Sequence, residues 1–126
     1  MSTPSNKETP KKTIMTRAIQ PRELNQADVL AGGFLMTWMD EIAGITSQRY
    51  AGPPVTTVGM TDIKLREPIR KGDILEICGT VVKAGRTSVT VLVTATVDGK
   101  SEPSAEGLFT YVAVDEDGKP RAYCQS

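Results

Sequence analysis

The stretch GGFLMTWMDEIAG (32–44) sets two adjacent carboxylates, Asp40 and Glu41, inside a run of large apolar side chains. A charge in such a run costs free energy unless it is paired, hydrated or used. A carboxylate there suits two kinds of chemistry: it takes a proton from water as a general base, or it attacks an electrophilic carbon directly. Gly32 and Gly33 stand at the front of the same run. The first amides of a helix starting there are unpaired donors with partial positive charge, suited to an oxyanion. The chain has no histidine. That excludes a Ser-His-Asp or Cys-His triad, His-ligated zinc and a histidine general base. Proton chemistry is left to carboxylates, lysine, tyrosine, cysteine or water. Cys78 and Cys124 lack metal-site spacing, so no metal is expected. A second gathering, KAGRTS (83–88), sets Lys83, Arg86 and the hydroxyls of Thr87 and Ser88 around a glycine turn. REPIRKGD (66–73) adds Arg66, Arg70 and Lys71, the last two read as solvated turn residues.

The elements that must position these residues are legible in outline. TIMTRAI (13–19) alternates as a first strand, and QPRELNQADVLA (20–31) is irregular, with Pro21 and Asn25 as loop residues. The helix is expected over roughly 33–50. Its apolar residues cover most of the circumference, so it belongs inside something. Gly52, Pro53 and Pro54 stop it. Asp40 then lies ~10 Å from the Gly33 end, at ~1.5 Å per residue, and Glu41 points ~100° away from it. Glu41 reads as structural or supporting, and Trp38 and Met39 as core. Thr46 and Ser47 read as helix packing.

Four strands follow. VTTVGMTDIKLRE (55–67) is a long one with at most two interior defects. DILEICGTVVK (73–83) sets Leu75, Ile77 and Val81 on one face. TSVTVLVTATV (87–97) sets Val89, Val91, Val93, Ala95 and Val97 on one face and mostly Ser and Thr on the other. EGLFTYVAVD (106–115) is the last. AGR (84–86) and DGK (98–100) are tight turns. One apolar helix and five strands joined largely by hairpins predict an α+β chain, with a curved antiparallel sheet wrapped around a central helix: the hotdog architecture. The open sheet edge favours a dimer with a continuous sheet.

At 126 residues one domain is expected, over 13–115, between a disordered tail at 1–12 and a C-terminal tail at 116–126. Fifteen basic and fifteen acidic residues cancel, and aromatics make up 5%. Neither supports nucleic acid or an acidic membrane as a partner. The N-terminus carries no apolar signal region and no run reaches a membrane span. With two cysteines read as free thiols, the expected location is cytoplasmic.

Three blocks, LNQADVLAGGFLMTWMDEIAGI (24–45), LREPIRKGDILEI (65–77) and VKAGRTSVTV (82–91), resemble in order and spacing the hotdog acyl-CoA thioesterases of the YciA and brain acyl-CoA hydrolase type. The resemblance covers about residues 13–114. It implies hydrolysis of acyl-CoA to free acid and CoA, with no cofactor beyond the CoA of the substrate. It implies that Asp40 is the catalytic carboxylate, activating water or attacking. It implies that Asn25 faces Asp40 of the other subunit, with Gly33 at the helix start. On this reading a backbone N–H near Gly32–Phe34 and the Asn25 side chain hold the thioester carbonyl. The pattern departs at Ala31, where many relatives carry His or Phe, and this bears on the shape of the acyl end. CoA phosphates call for Arg, Lys and free N–H groups. In similar proteins the 83–88 turn lies at the CoA entrance, so the resemblance implies Arg86, Thr87 and Ser88 there, with Arg66 expected to face the nucleotide and Thr57 to meet the pantetheine arm. Self-association to a dimer, and on to a tetramer or hexamer, is implied. A hydratase of the same fold would need a histidine. A catalytically silent acyl-CoA-binding module remains the alternative.

Overall fold

The computed structural model describes residues 12–123. The tail expected over 1–12 therefore lies outside the described residues except for Lys12, and so does Cys124. Five strands, β1 (Lys12–Ala18), β2 (Val55–Leu65), β3 (Ile74–Ala84), β4 (Ser88–Val97) and β5 (Ala105–Ala113), form one antiparallel sheet in the order β1-β3-β4-β5-β2. A single α-helix, α1 (Gly32–Ala51), packs on one face of this sheet, mainly against β3 and β4. This is the expected helix-in-sheet arrangement.

Alternation decides what each strand buries. All five inward positions of β4, from Val89 to Val97, are buried, whereas Ser88, Thr90, Thr94 and Thr96 are only partly covered. Leu75 and Ile77 of β3 are fully buried, and Val81 packs against the core at its rim, where the β3–β4 register shifts between Val81 and Lys83. The helix contributes Leu35, Trp38, Met39, Ile42 and Ala43 to the same core. Close approach of helix and sheet requires Gly79, since a Cβ there would stand 2.8 Å from Thr46 Oγ1. The buried Thr46 hydroxyl is satisfied inside the helix, donating to the Ile42 carbonyl at 2.7 Å. Gly52, at φ 102, ends the helix in a conformation that suits glycine, and its N–H donates to the Gln48 carbonyl.

β2 is an outer strand of the sheet. Its pairing with β5 shifts register between Thr57 and Gly59 and again between Thr61 and Lys64, and Asp62 lies at φ 54. Val58 and Met60 on it are exposed, at 58% and 44%. That is an apolar strand edge, the kind that natural sheets cover or pair. Beyond β5 the chain turns at residues 115–119 and bridges back at Val114 and Pro120. Tyr123 then donates its hydroxyl to the Ser88 carbonyl and packs edge-on against Tyr50. Among the described residues no helix is long and apolar enough to cross a membrane.

Candidate active site

Asp40 sits on the third turn of α1, half-buried, with its side chain turned toward the β2–β5 end of the sheet. Two hydroxyls meet it there. Thr57 Oγ1 of β2 donates to Asp40 Oδ1 at 3.2 Å. The Tyr111 hydroxyl of β5 lies within hydrogen-bond reach of the same Oδ1, and 2.7 Å from the backbone carbonyl of Asp40 itself. Thr57 and Tyr111 are partners across the β2–β5 ladder, so sheet register delivers both donors to one carboxylate oxygen. Burial, and then the hydrogen bond to Asp40, push the Tyr111 hydroxyl well above the ordinary tyrosine range. It therefore stays a protonated donor at neutral pH.

A cavity of about 510 Å³ opens beside this cluster. Asp40, Gly44 and Gln48 line it at helical i, i+4, i+8 spacing, with Ile45, Arg49, Val55 and Tyr111 also in the wall. Glu41 is exposed at its rim. Gly44 is small for a reason visible here, because a Cβ would come within 3.2 Å of the Tyr111 oxygen. Trp38 and Met39 are buried in the core, as expected. Arg17 stacks over the Trp38 ring at 4.0 Å and pairs with the buried Glu23 at 3.6 Å. Glu23 in turn accepts the Gln20 N–H and offers its backbone carbonyl to the Ala31 N–H, fixing the loop that leads into the helix.

That loop carries Asn25. Its side-chain oxygen is committed, accepting the N–H groups of Ala27 at 2.8 Å and Val29 at 3.3 Å. The carboxamide NH2 is what Asn25 has left to offer a ligand. Asn25 lines a second cavity of about 300 Å³ with Gly32, Leu35, Arg66, Pro68 and Ile69. Gly32 and Gly33 open α1 without a side-chain cap, so their N–H groups have no helical acceptor. The expectation of a donor anywhere from Gly32 to Phe34 narrows, because the Phe34 N–H already donates to the Ala31 carbonyl at 3.1 Å. A Cβ at Gly32 or Gly33 would meet nothing within 4 Å, and neither has positive φ. Packing within this chain therefore does not demand glycine at either position.

The basic turn lies at the same end of the sheet as the Asp40 cluster, since Ser88 pairs with Val112 and Val89 with Tyr111. Arg86 is exposed at the tip, and the Thr87 and Ser88 carbonyls accept the Ala113 and Gly85 N–H groups. Arg66 lies elsewhere, beside Asn25, and pairs with Glu106 at 3.0 Å. The hydrogen bond from Arg66 holds the Glu106 carboxyl below its usual range. Within one chain the predicted residues thus fall into two groups on separate cavities. Asp40 and Thr57 are together, near Arg86, Thr87 and Ser88; Asn25, Gly32 and Arg66 are together, with Gly33 next along the helix start.

Two features escaped the sequence reading. Thr57 touches the Asp40 carboxylate, although it was expected at a ligand arm. Tyr111 was not singled out. Its signal was a phenol on the inward face of a strand between Phe109 and Ala113, since a buried hydroxyl needs a partner.

Comparisons with known proteins place the chain among relatives of one family. A family model of the thioesterase superfamily matches residues 27–103. The acyl-CoA thioester hydrolase YciA of Salmonella typhimurium is 33% identical over 121 residues, spanning 90% of this chain and 91% of that one. The acyl-CoA hydrolase of Staphylococcus aureus, solved with butyryl coenzyme A, coenzyme A and coenzyme A disulfide, superposes with a TM-score of 0.84. It is 35% identical, covering 90% of this chain and 69% of that one. Alanine variants of that enzyme at an aspartate, a threonine and an asparagine have also been solved. A hexameric thioesterase from Yersinia pestis superposes with a TM-score of 0.82 at 30% identity, covering 88% of this chain and 93% of that one.

Proposed function

The chain belongs to the thioesterase superfamily, and we propose that it hydrolyses acyl-CoA to a carboxylic acid and CoA with Asp40 as the general base. The observation that carries this reading is the held carboxylate. Both hydroxyl donors meet Oδ1, which leaves Oδ2 to act on water beside the cavity. Asp40 Oδ2 takes a proton from water as the oxygen bonds to the thioester carbon. The carbonyl oxygen becomes an oxyanion, the C–S bond then breaks, and the CoA sulfur leaves with the proton.

The donors for that oxyanion are the free N–H groups at Gly32–Gly33 and the NH2 of Asn25. In one chain they line or adjoin the second cavity, away from Asp40. Pairing of two β2 edges across a two-fold axis joins the Asp40 cavity of one protomer to the Asn25 cavity of its partner. The exposed Val58 and Met60 on that edge support such a pairing. The Staphylococcus aureus enzyme supports the choice of residues. Its altered asparagine, aspartate and threonine are spaced fifteen and seventeen residues apart, as are Asn25, Asp40 and Thr57 here. Arg86 and the turn around it receive the CoA phosphates. Hexameric relatives support further self-association.

The test is thiol release, followed with a thiol-reactive chromogen, on acyl-CoAs from acetyl to palmitoyl, for wild type and Asp40→Asn. Turnover that falls at least a hundredfold in the variant, with binding kept, is the expected result. Saturable CoA binding without turnover in the wild type would make the chain a binding module instead.

A further inference from the structure

Resting on the reading of Asp40 as the base, we propose that Tyr111 is a positioning residue that clamps Oδ1 of Asp40 and so reserves Oδ2 for water. Three observations carry it. The Tyr111 hydroxyl reaches Oδ1 from β5, on the sheet side of the carboxylate. The residue is buried, at 5% exposure, so its hydroxyl has little solvent to turn to. Its ring is seated against Gly44, one helical turn beyond Asp40, where an added Cβ would stand 3.2 Å from the hydroxyl oxygen and press on it. The helix thus carries both the base and the gap that admits its clamp.

The same hydroxyl has a second acceptor on the same residue, the backbone carbonyl of Asp40 at 2.7 Å. A tyrosine hydroxyl has one proton to give, so it serves one oxygen at a time. While Asp40 is a carboxylate, Oδ1 is the stronger acceptor. Once Oδ2 has taken the water proton, the group is neutral and Oδ1 accepts more weakly. The Tyr111 proton then turns to the backbone carbonyl, and no buried hydroxyl is stranded. Tyr111 neither gains nor loses a proton in this cycle.

Tyr111→Phe removes one oxygen and keeps the ring. Measured by thiol release at saturating acyl-CoA, kcat is expected to fall about tenfold or more, with KM within about twofold, because the lost bond served the base and not the ligand. Unchanged kcat would overturn the proposal, since a ring that only packs is replaced well by phenylalanine. Gly44→Ala, which keeps the hydroxyl but brings a Cβ within 3.2 Å of it, is expected to lower kcat in the same direction. It decides the matter if Tyr111→Phe does not fold, and unchanged kcat there would equally overturn the clamp. Asp40→Asn run alongside separates the two readings. Full turnover in Asp40→Asn sinks the general-base reading; an inactive Asp40→Asn beside fully active clamp variants sinks the Tyr111 proposal alone.

Discussion

Thr57 and Tyr111 face each other across the β2–β5 ladder, and both reach the same carboxylate oxygen of Asp40. One strand pair therefore fixes the orientation of a helical side chain. The register shift that follows Thr57 lies immediately beyond this pair, so the strand keeps regular pairing up to the residue that touches Asp40 and bends after it.

Thr57→Val keeps the β-branched shape and removes the donor to Asp40. A hydrogen bond to a charged group contributes ~1.5–3 kcal/mol, so kcat is expected to fall ~10-fold or more at ~1.4 kcal/mol per decade. Steady-state kinetics check this, and a rise in KM alone would return Thr57 to the ligand arm.

Alkaline stability follows from Tyr111. Its folded-state pKa is raised above the unfolded value of 10.0, chiefly by burial. Folding then holds the proton that the unfolded chain releases, so this contribution is fully present below pH 10 and is lost as pH rises beyond it. Melting temperatures measured from pH 8 to 11 are expected to fall more steeply above pH 10 in wild type than in Tyr111→Phe. Parallel curves would contradict a buried, neutral Tyr111.

Arg86 stands exposed at the tip of the β3–β4 turn, so the phosphate contact proposed for it is electrostatic and open to screening. Arg86→Ala is expected to raise KM for acyl-CoA ~5-fold, about 1 kcal/mol, with kcat little changed. The difference from wild type should shrink as salt is raised from 0.05 to 0.5 M on the Debye scale. Equal KM values at low salt would remove Arg86 from the CoA site.

Much of the scaffold was legible from local pattern. The helix expected over 33–50 spans Gly32–Ala51, because an all-round apolar run bounded by Gly-Gly and Gly-Pro-Pro leaves little freedom at either end. The valines of β4 alternate inward as written, because a period of two is a property of each strand alone. Asp40 was visible as a charge that apolar packing does not explain. Its partners were not. Tyr111 is 71 residues away in sequence, and no local spacing states that β5 pairs with β2 in the register that brings Thr57 alongside it. The donor expected near Gly32–Phe34 narrows for a smaller reason: the Ala31 carbonyl captures the Phe34 N–H in a tight first turn, leaving the two glycine amides.

The proposed site joins Asp40 of one protomer to Asn25 of its partner. Mixing two inactive variants tests it most directly. Asp40→Asn and Asn25→Ala are combined in equal amounts, dissociated, reassociated and assayed for thiol release. If the site is shared, half of the random dimers are mixed and each holds one intact site, so about a quarter of wild-type activity returns. A mixture as inactive as its parents, with mixed dimers shown to be present, would contradict a site shared between Asp40 and the partner's Asn25.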